Sequence, residues 1–319
     1  MVKTKKEDRS AKIFALNSNR PLAEKISEAS GMDIGKATIN HFSDGEIQIT
    51  INGSIRGDDV YIVQSLSDPV NDNLMELMIM IDAVRRTSPN TINVVIPYYG
   101  YSRSDRKARS REPITAKLIA TFLESSAVDR VVTLDLHAAQ IQGFFDIPVD
   151  HLRSLELMGN YLKEHDVSDD AVVVSPDYNS VAKARGMAGY LNLPIAIVDN
   201  RDPEDYSKVP STIIGDVKGK NAIVVDDMIV TGDKMKTTAK AIMNAGAKAV
   251  YVVATHPVLT EDAKKNLSDP AIKQVIVSDS IVVPQDKKID KMVIVSVGKL
   301  IGNALKLIEN EQSTSKLFD

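Results

Sequence analysis

Short apolar runs separated by longer amphipathic stretches dominate the chain from residue 11 onward. The clearest runs cover 13–16, 60–64, 92–97, 131–134, 171–175, 195–198, 222–225 and 250–254, and they are rich in Val and Ile. Several are apolar throughout rather than alternating, the pattern of strands buried on both faces of a parallel sheet. Between them, the stretch 73–86 places Leu74, Leu77, Met78, Ile81 and Val84 at three- and four-residue spacing, which predicts a helix. The stretch 113–124 opens with Pro113 in a first turn and carries Ile114, Leu118, Ile119 and Phe122. Stretches 180–191 and 236–244 read the same way, with Gly246 capping the last. Strand and helix in alternation predict an α/β fold, its largely parallel sheets flanked by helices.

The same rhythm restarts at Ala171 after a loop near 146–152, so two similar α/β domains are expected at 11–150 and 151–310. A length of 319 residues agrees with that division at roughly 150 residues per domain. The polar tail 311–319 carries one apolar pair, Leu317 and Phe318, expected to dock, whereas 1–10 reads as a short disordered arm without a signal-type segment. An apolar content of 43% excludes global disorder, and the absence of Cys excludes disulfides, thiolate catalysis and Cys-ligated metals. A net charge of −4, with no Trp and only 6 Phe and 9 Tyr, argues against nucleic acid as the main partner. No run reaches the ~18 apolar residues of a membrane span, and a cytoplasmic setting is expected.

Four places can carry chemistry. The run 222–225 delivers Asp226 and Asp227 at its C-terminal end, and a Thr231-Gly232 loop then leads into a helix. Such an edge holds ligands in open α/β sheets, and the loop's backbone N–H groups suit a phosphate. The alternative is a strand-end turn with solvated acids. The run 131–134 leads to Asp135 and His137, where imidazole is either a metal or phosphate ligand or an ordinary loop residue. A dense basic run, Arg103, Arg106, Lys107, Arg109 and Arg111, follows 97–101 and suits a polyphosphate, with a solvated loop or an RNA contact as rivals. Segment 42–46 reads only as a turn, and Asp177 adds one more strand-end carboxylate.

Longer stretches carry a resemblance. FSDGEIQI from Phe42, QSLSDPVNDNLMEL from Gln64, IPYYGYSRSDRKARSREPITAKL from Ile96, VVTLDLHAAQIQGFFDIPVDHL from Val131 and QSTSKLF from Gln312 are similar to the ribose-phosphate pyrophosphokinase family. The resemblance implies two phosphoribosyltransferase-like domains, a homohexamer, and transfer of the pyrophosphoryl group of ATP to the anomeric hydroxyl of ribose 5-phosphate with Mg2+. It implies that Phe42, Asp44 and Glu46 form an adenine pocket across a subunit boundary, with Arg103, Ser104 and Asp105 beside the ATP. His137 and Asp177 fall to the metal and triphosphate site, and His137, Arg103 and Arg201 to catalysis. Asp226 and Asp227 fall to the ribose hydroxyls, and Thr231, Gly232, Asp233 and Lys234 to the 5-phosphate. Arg56, Ser313, Ser315 and Phe318 match a regulatory site for phosphate or ADP.

Departures from the family pattern cluster in these positions. The family's Asp-Thr-Ala-Gly-Thr loop reads Val230-Thr231-Gly232-Asp233-Lys234 here. Its Lys-Arg-Arg reads Asn200-Arg201-Asp202, its Pro-Asp-His-Gly-Gly reads Pro176-Asp177-Tyr178-Asn179-Ser180, and a Gln is Ser104. Two readings follow: an active pyrophosphokinase, or a catalytically weak paralogue that regulates an active synthetase.

Overall fold

The computed structural model describes residues 10–199, 209–210, 212–260 and 262–317. The chain forms two compact units, Met1–Leu152 with Gly298–Asp319, and Arg153–Val297. The first runs β1 (Ala11–Ala15), α1 (Arg20–Ser30), β2 (Asp33–Ile34), β3 (Ala37–His41), β4 (Ile47–Ile51), β5 (Asp59–Val63), α2 (Val70–Arg85), β6 (Thr91–Ile96), α3 (Thr115–Ser125), β7 (Arg130–Leu134) and β8 (Val149–Leu152). The second runs α4 (Leu155–Glu164), β9 (Ala171–Ser175), α5 (Val181–Leu191), β10 (Ile195–Asp199), β11 (Thr212–Ile214), β12 (Asn221–Ile229), α6 (Asp233–Asn244), β13 (Ala249–Pro257), α7 (Ala263–Leu267), β14 (Gln274–Ser278) and β15 (Met292–Val295). A last helix, α8 (Gly298–Glu309), belongs to the first unit.

All eight apolar runs are strands, and each has a neighbouring strand on both edges; β5, β9, β12 and β13 are buried at every residue. The first sheet has the order β2-β1-β5-β6-β7-β8 and is parallel throughout. The second has the order β11-β10-β9-β12-β13-β14-β15, in which only the β10–β11 pair is antiparallel. Strand order reverses between β1 and β5 in one sheet and between β9 and β12 in the other. Ligand crevices of open α/β sheets lie beyond the strand ends at such reversals.

Some boundaries differ from the sequence pattern. Helix α2 starts at Val70 rather than at 73, and α3 starts at Thr115, two residues beyond Pro113. Helix α6 starts at Asp233 rather than 236; Ala245 is its cap residue, and Gly246 follows with φ +90°. Strand β12 continues through Asp226 and Asp227 to Ile229 instead of ending before them.

A linear division at residue 310 puts 298–309 in the second domain, but α8 packs on α1 of the first. Gly302 makes that approach possible: a Cβ there would lie 2.6 Å from Ala29 Cβ and 2.8 Å from the Ile26 carbonyl oxygen. Gly302→Ala is therefore expected to cost about 1–3 kcal/mol. Thermal unfolding measures the loss, and an unchanged midpoint would contradict this packing.

Candidate active site

In the second unit, β9 ends at Ser175 while β12 continues, so Asp226 and Asp227 lie beyond the β9–β12 register beside the turn that opens α5. Lys234, in the first turn of α6, places Nζ 2.8 Å from Asp177 Oδ2 and 2.8 Å from Asp226 Oδ2. Ser180 N donates to Asp177 Oδ1 at 2.9 Å, and the Ser180 hydroxyl donates to Asp226 Oδ1 at 3.0 Å. Asp227 N also donates to Asp226 Oδ1, at 2.9 Å, and Lys183 Nζ lies 3.1 Å from Asp227 Oδ1. All three carboxylates are buried.

Their electrostatics follow from that crowding. Burial, then the charge of Asp227, pushes the Asp226 carboxyl up to about 6, although Lys234 pulls the other way. Burial also acts to raise Asp177, but the Lys234 charge and the bonds from Lys234 and Ser180 outweigh it and hold this group below its ordinary value. Burial disfavours the charged form of Lys234, yet the Asp226 and Asp177 charges prevail and keep the ammonium protonated.

The 230–234 loop is braced from beneath. Asn266 Nδ2 donates to the Thr231 carbonyl at 2.8 Å, and Lys236 Nζ donates to Asn266 Oδ1 at 2.8 Å. Gly232 takes φ +75° as the cap of α6, and a Cβ there would meet Asn266 and Leu267 at 3.2 Å. Asp233 faces Lys236 at 3.8 Å. The positive end of a 12-residue helix thus meets the loop, a geometry suited to a phosphate dianion.

In the first unit the basic run forms the exposed loop after β6, and His137 lies on the loop after the paired strand β7. The two loops meet where Gln140 Nε2 donates to Asp105 Oδ2 at 2.8 Å. Glu112 Oε2 accepts from Ala108 N at 3.0 Å and Arg109 N at 2.9 Å, shaping the cationic loop. His151 Nε2 accepts from Leu136 N at 2.9 Å and fixes the backbone beside His137. Gly100 lets this chain segment cross close to Leu66, because a Cβ there would lie 2.5 Å from the Leu66 carbonyl oxygen.

Segment 42–46 is the turn of the β3–β4 hairpin: Phe42 N donates to the Glu46 carbonyl at 2.8 Å, and Glu46 N to Asp44 Oδ1 at 3.1 Å. Phe42 is 49% exposed at its tip. Asp44, Gly45, Glu46, Ile47, Met75 and Ile79 line an open cavity of about 480 Å³.

Lys183, Asn266, Lys236, His151 and Glu76 carry no local sequence signal of a role. Glu76 is buried at the β1–β5 reversal, where it accepts from Asn17 N at 2.8 Å, Asn17 Nδ2 at 2.7 Å and Gln64 Nε2 at 3.1 Å. His41 Nε2 lies 3.1 Å from Glu76 Oε2, the oxygen that also accepts from Asn17 Nδ2, and ties the hairpin to this cluster. These partners lie up to 59 residues apart in the chain, so no local pattern announces them.

Of the tail residues, Ser313 Oγ lies 2.6 Å from Ser315 Oγ, and Thr314 donates to Asp150 at 3.2 Å. Arg56 sits on the exposed turn before β5. Arg201, with Asn200 and Asp202, lies outside the described residues, as do Phe318 and the arm 1–9. Among the described residues no cluster of three or more His, Cys, Asp or Glu side chains is arranged to hold a metal ion. Where the resemblance puts a metal at Asp177, the Lys234 ammonium stands instead. No helix of the described residues is long and apolar enough to cross a membrane.

Comparison with known proteins bears on what these sites serve. A family model described as the N-terminal domain of ribose phosphate pyrophosphokinase matches residues 11–126. A second, described as the phosphoribosyl synthetase-associated domain, matches 201–319. Ribose-phosphate pyrophosphokinase 2 of Enterococcus faecalis is 55% identical over 309 residues, covering 97% of this chain and 96% of that one. Ribose-phosphate pyrophosphokinase of Bacillus subtilis is 50% identical over 311 residues, covering 98% of each. The chain belongs to the ribose-phosphate pyrophosphokinase family. The fold agrees: the crystal structure of phosphoribosylpyrophosphate synthetase from Mycobacterium smegmatis superposes with TM-score 0.90 at 36% identity, covering 95% of this chain and 100% of that one. Pyrophosphokinase is an enzyme's name, and these full-length relatives lend no support to a purely regulatory subunit over the enzyme.

Proposed function

We propose that this chain transfers the pyrophosphoryl group of ATP to the anomeric hydroxyl of ribose 5-phosphate, giving 5-phosphoribosyl 1-diphosphate and AMP. The carrying observation is identity of 50–55% with proteins named for that activity, over 97–98% of this chain and 96–98% of theirs. The α6 N-terminus and the Thr231-Gly232 turn receive the 5-phosphate, and Asp226 and Asp227 orient the ribose hydroxyls. Arg103, Ser104 and Asp105, on the loop tied to that of His137, lie beside the ATP, with Arg103 facing its phosphates, and Phe42, Asp44 and Glu46 receive the adenine. Phosphoryl-type transfer needs little covalent help, so positioning and charge neutralisation carry the step. The sugar oxygen attacks the β-phosphorus while AMP leaves in line; Arg103, Arg201 and His137 offset the charge that develops there. Mg2+ enters as part of the nucleotide substrate, where it neutralises phosphate charge.

The setting is the cytoplasm, and the working form is a homohexamer. Phosphate and ADP act as effectors near Arg56, Ser313, Ser315 and Phe318. Release of AMP from ATP, ribose 5-phosphate, Mg2+ and inorganic phosphate tests the reading. Turnover is expected in the wild type and background in the double variant His137→Ala, Asp227→Asn. Equal rates in the two would overturn the proposal.

A further inference from the structure

We propose that Lys234 is a resident cation of the second unit: its ammonium neutralises the Asp177–Asp226 pair, so that this pair takes no divalent metal ion. The inference deepens the proposed binding of the sugar phosphate, which on this reading proceeds at the α6 N-terminus without a protein-held metal.

Two buried carboxylates that approach one another need a proton, a metal or a fixed cation between them. Here the cation is supplied by the chain. Lys234 Nζ sits 2.8 Å from one oxygen of each carboxylate, and the side chains of Asp177 and Asp226 are only 2% and 3% exposed. The remaining oxygens are engaged as well. Asp177 Oδ1 accepts from Ser180 N at 2.9 Å, while Asp226 Oδ1 accepts from Ser180 Oγ at 3.0 Å and Asp227 N at 2.9 Å. Every oxygen of the pair therefore has a donor from the protein itself. Mg2+ demands oxygen ligands at ~2.0–2.1 Å in near-octahedral order. To reach these two oxygens it would have to expel an ammonium that makes two charge-assisted bonds, or else share the space with a like charge.

Ser180, which donates to both carboxylates, and Lys234 both stand at positions where the chain departs from the family pattern.

The test uses the full-length, nucleotide-free protein and Mn2+ alone, titrated while the free ion is followed by electron paramagnetic resonance. The wild type and Asp177→Asn are expected to give the same Mn2+ titration, because Asp177 holds no ion. Lys234→Met is expected to gain one Mn2+ site per chain, with binding at least about tenfold tighter than any wild-type site, about 1.4 kcal/mol. Adding Asp177→Asn to Lys234→Met is expected to remove that site. Wild-type binding that weakens on Asp177→Asn would overturn the inference, as would a folded Lys234→Met variant that binds no more Mn2+ than wild type. If Lys234→Met folds only when Mn2+ is present, the inference is supported. If it fails to fold under either condition, the wild-type and Asp177→Asn titrations decide between the outcomes. No turnover is read, so failure of the AMP-release assay and failure of this inference remain separate results.

Discussion

Lys234→Met in metal-free buffer is expected to lower stability by about 3–5 kcal/mol near neutral pH, the usual cost of stripping a buried charge of its partner. The loss falls on two carboxylates, Asp177 and Asp226, that share the Lys234 ammonium. Its pH dependence follows from their opposite shifts. Asp226 is raised to about 6 in the folded chain, so its favourable contribution is complete below an ordinary carboxyl value and is lost as the pH rises through about 6. Asp177 is lowered; it stabilises above the ordinary carboxyl value, and that contribution is lost on acidification. The methionine substitution removes the attraction that opposes the rise of Asp226 and the attraction that lowers Asp177. The deficit of the variant should therefore shrink as the pH falls through 6 and protons take the place of the ammonium. Urea unfolding of both proteins across that range measures it. A deficit that stays below about 1 kcal/mol, or that grows on acidification, is inconsistent with this cluster.

Glu76→Ala is expected to cost about 3 kcal/mol and to weaken the use of ATP selectively. The substitution leaves Asn17 and Gln64 without the acceptor they share, and it cuts the contact to His41. His41 is the last residue of β3, immediately before Phe42, so the hairpin proposed to hold adenine loses this polar tie while keeping its apolar packing on the core. The KM for ATP should rise about tenfold, equivalent to about 1.4 kcal/mol, while the KM for ribose 5-phosphate stays within twofold. Glu76→Gln preserves the size of the side chain and should recover part of the stability. Chemical unfolding and steady-state kinetics separate the two effects. A stability loss without a change in the KM for ATP would show that the cluster supports the fold but not the hairpin.

The parts of the fold legible in the sequence were those with uniform surroundings. Strands β5 and β9 are buried on both faces, so their apolar runs have sharp edges. Strands β3 and β4 alternate half-buried and exposed residues, and their pattern is weaker; only the turn at 42–46 stood out. Helix α8 has a strong apolar face, yet nothing local tells that its partner is α1, nearly the whole chain away. The candidate site divides along the same line. Asp226 and Asp227 were found because charge stands out after an apolar run, but the strand was expected to stop there. It continues because its backbone stays paired with β13 as far as Ile229, while Lys234, Lys183 and Ser180, from other elements, supply the partners of the two acids. Lys234 adjoins Asp233 in sequence, yet its ammonium pairs with Asp177 and Asp226. Its reach is set by the first turn of α6, which turns it toward β9 and β12 instead.

The return of α8 to α1 means that the 153–297 unit is spliced into the first unit, with a covalent connection at each of its ends. During translation the ribosome must add those roughly 145 residues after β8 before the helix that completes the earlier unit emerges. At ~5–20 residues per second, that is a wait on the order of ten seconds. The later-made unit is thus the first to have all its parts, and the nascent N-terminal sheet spends the interval with the α1 surface around Ala29 still lacking its α8 cover.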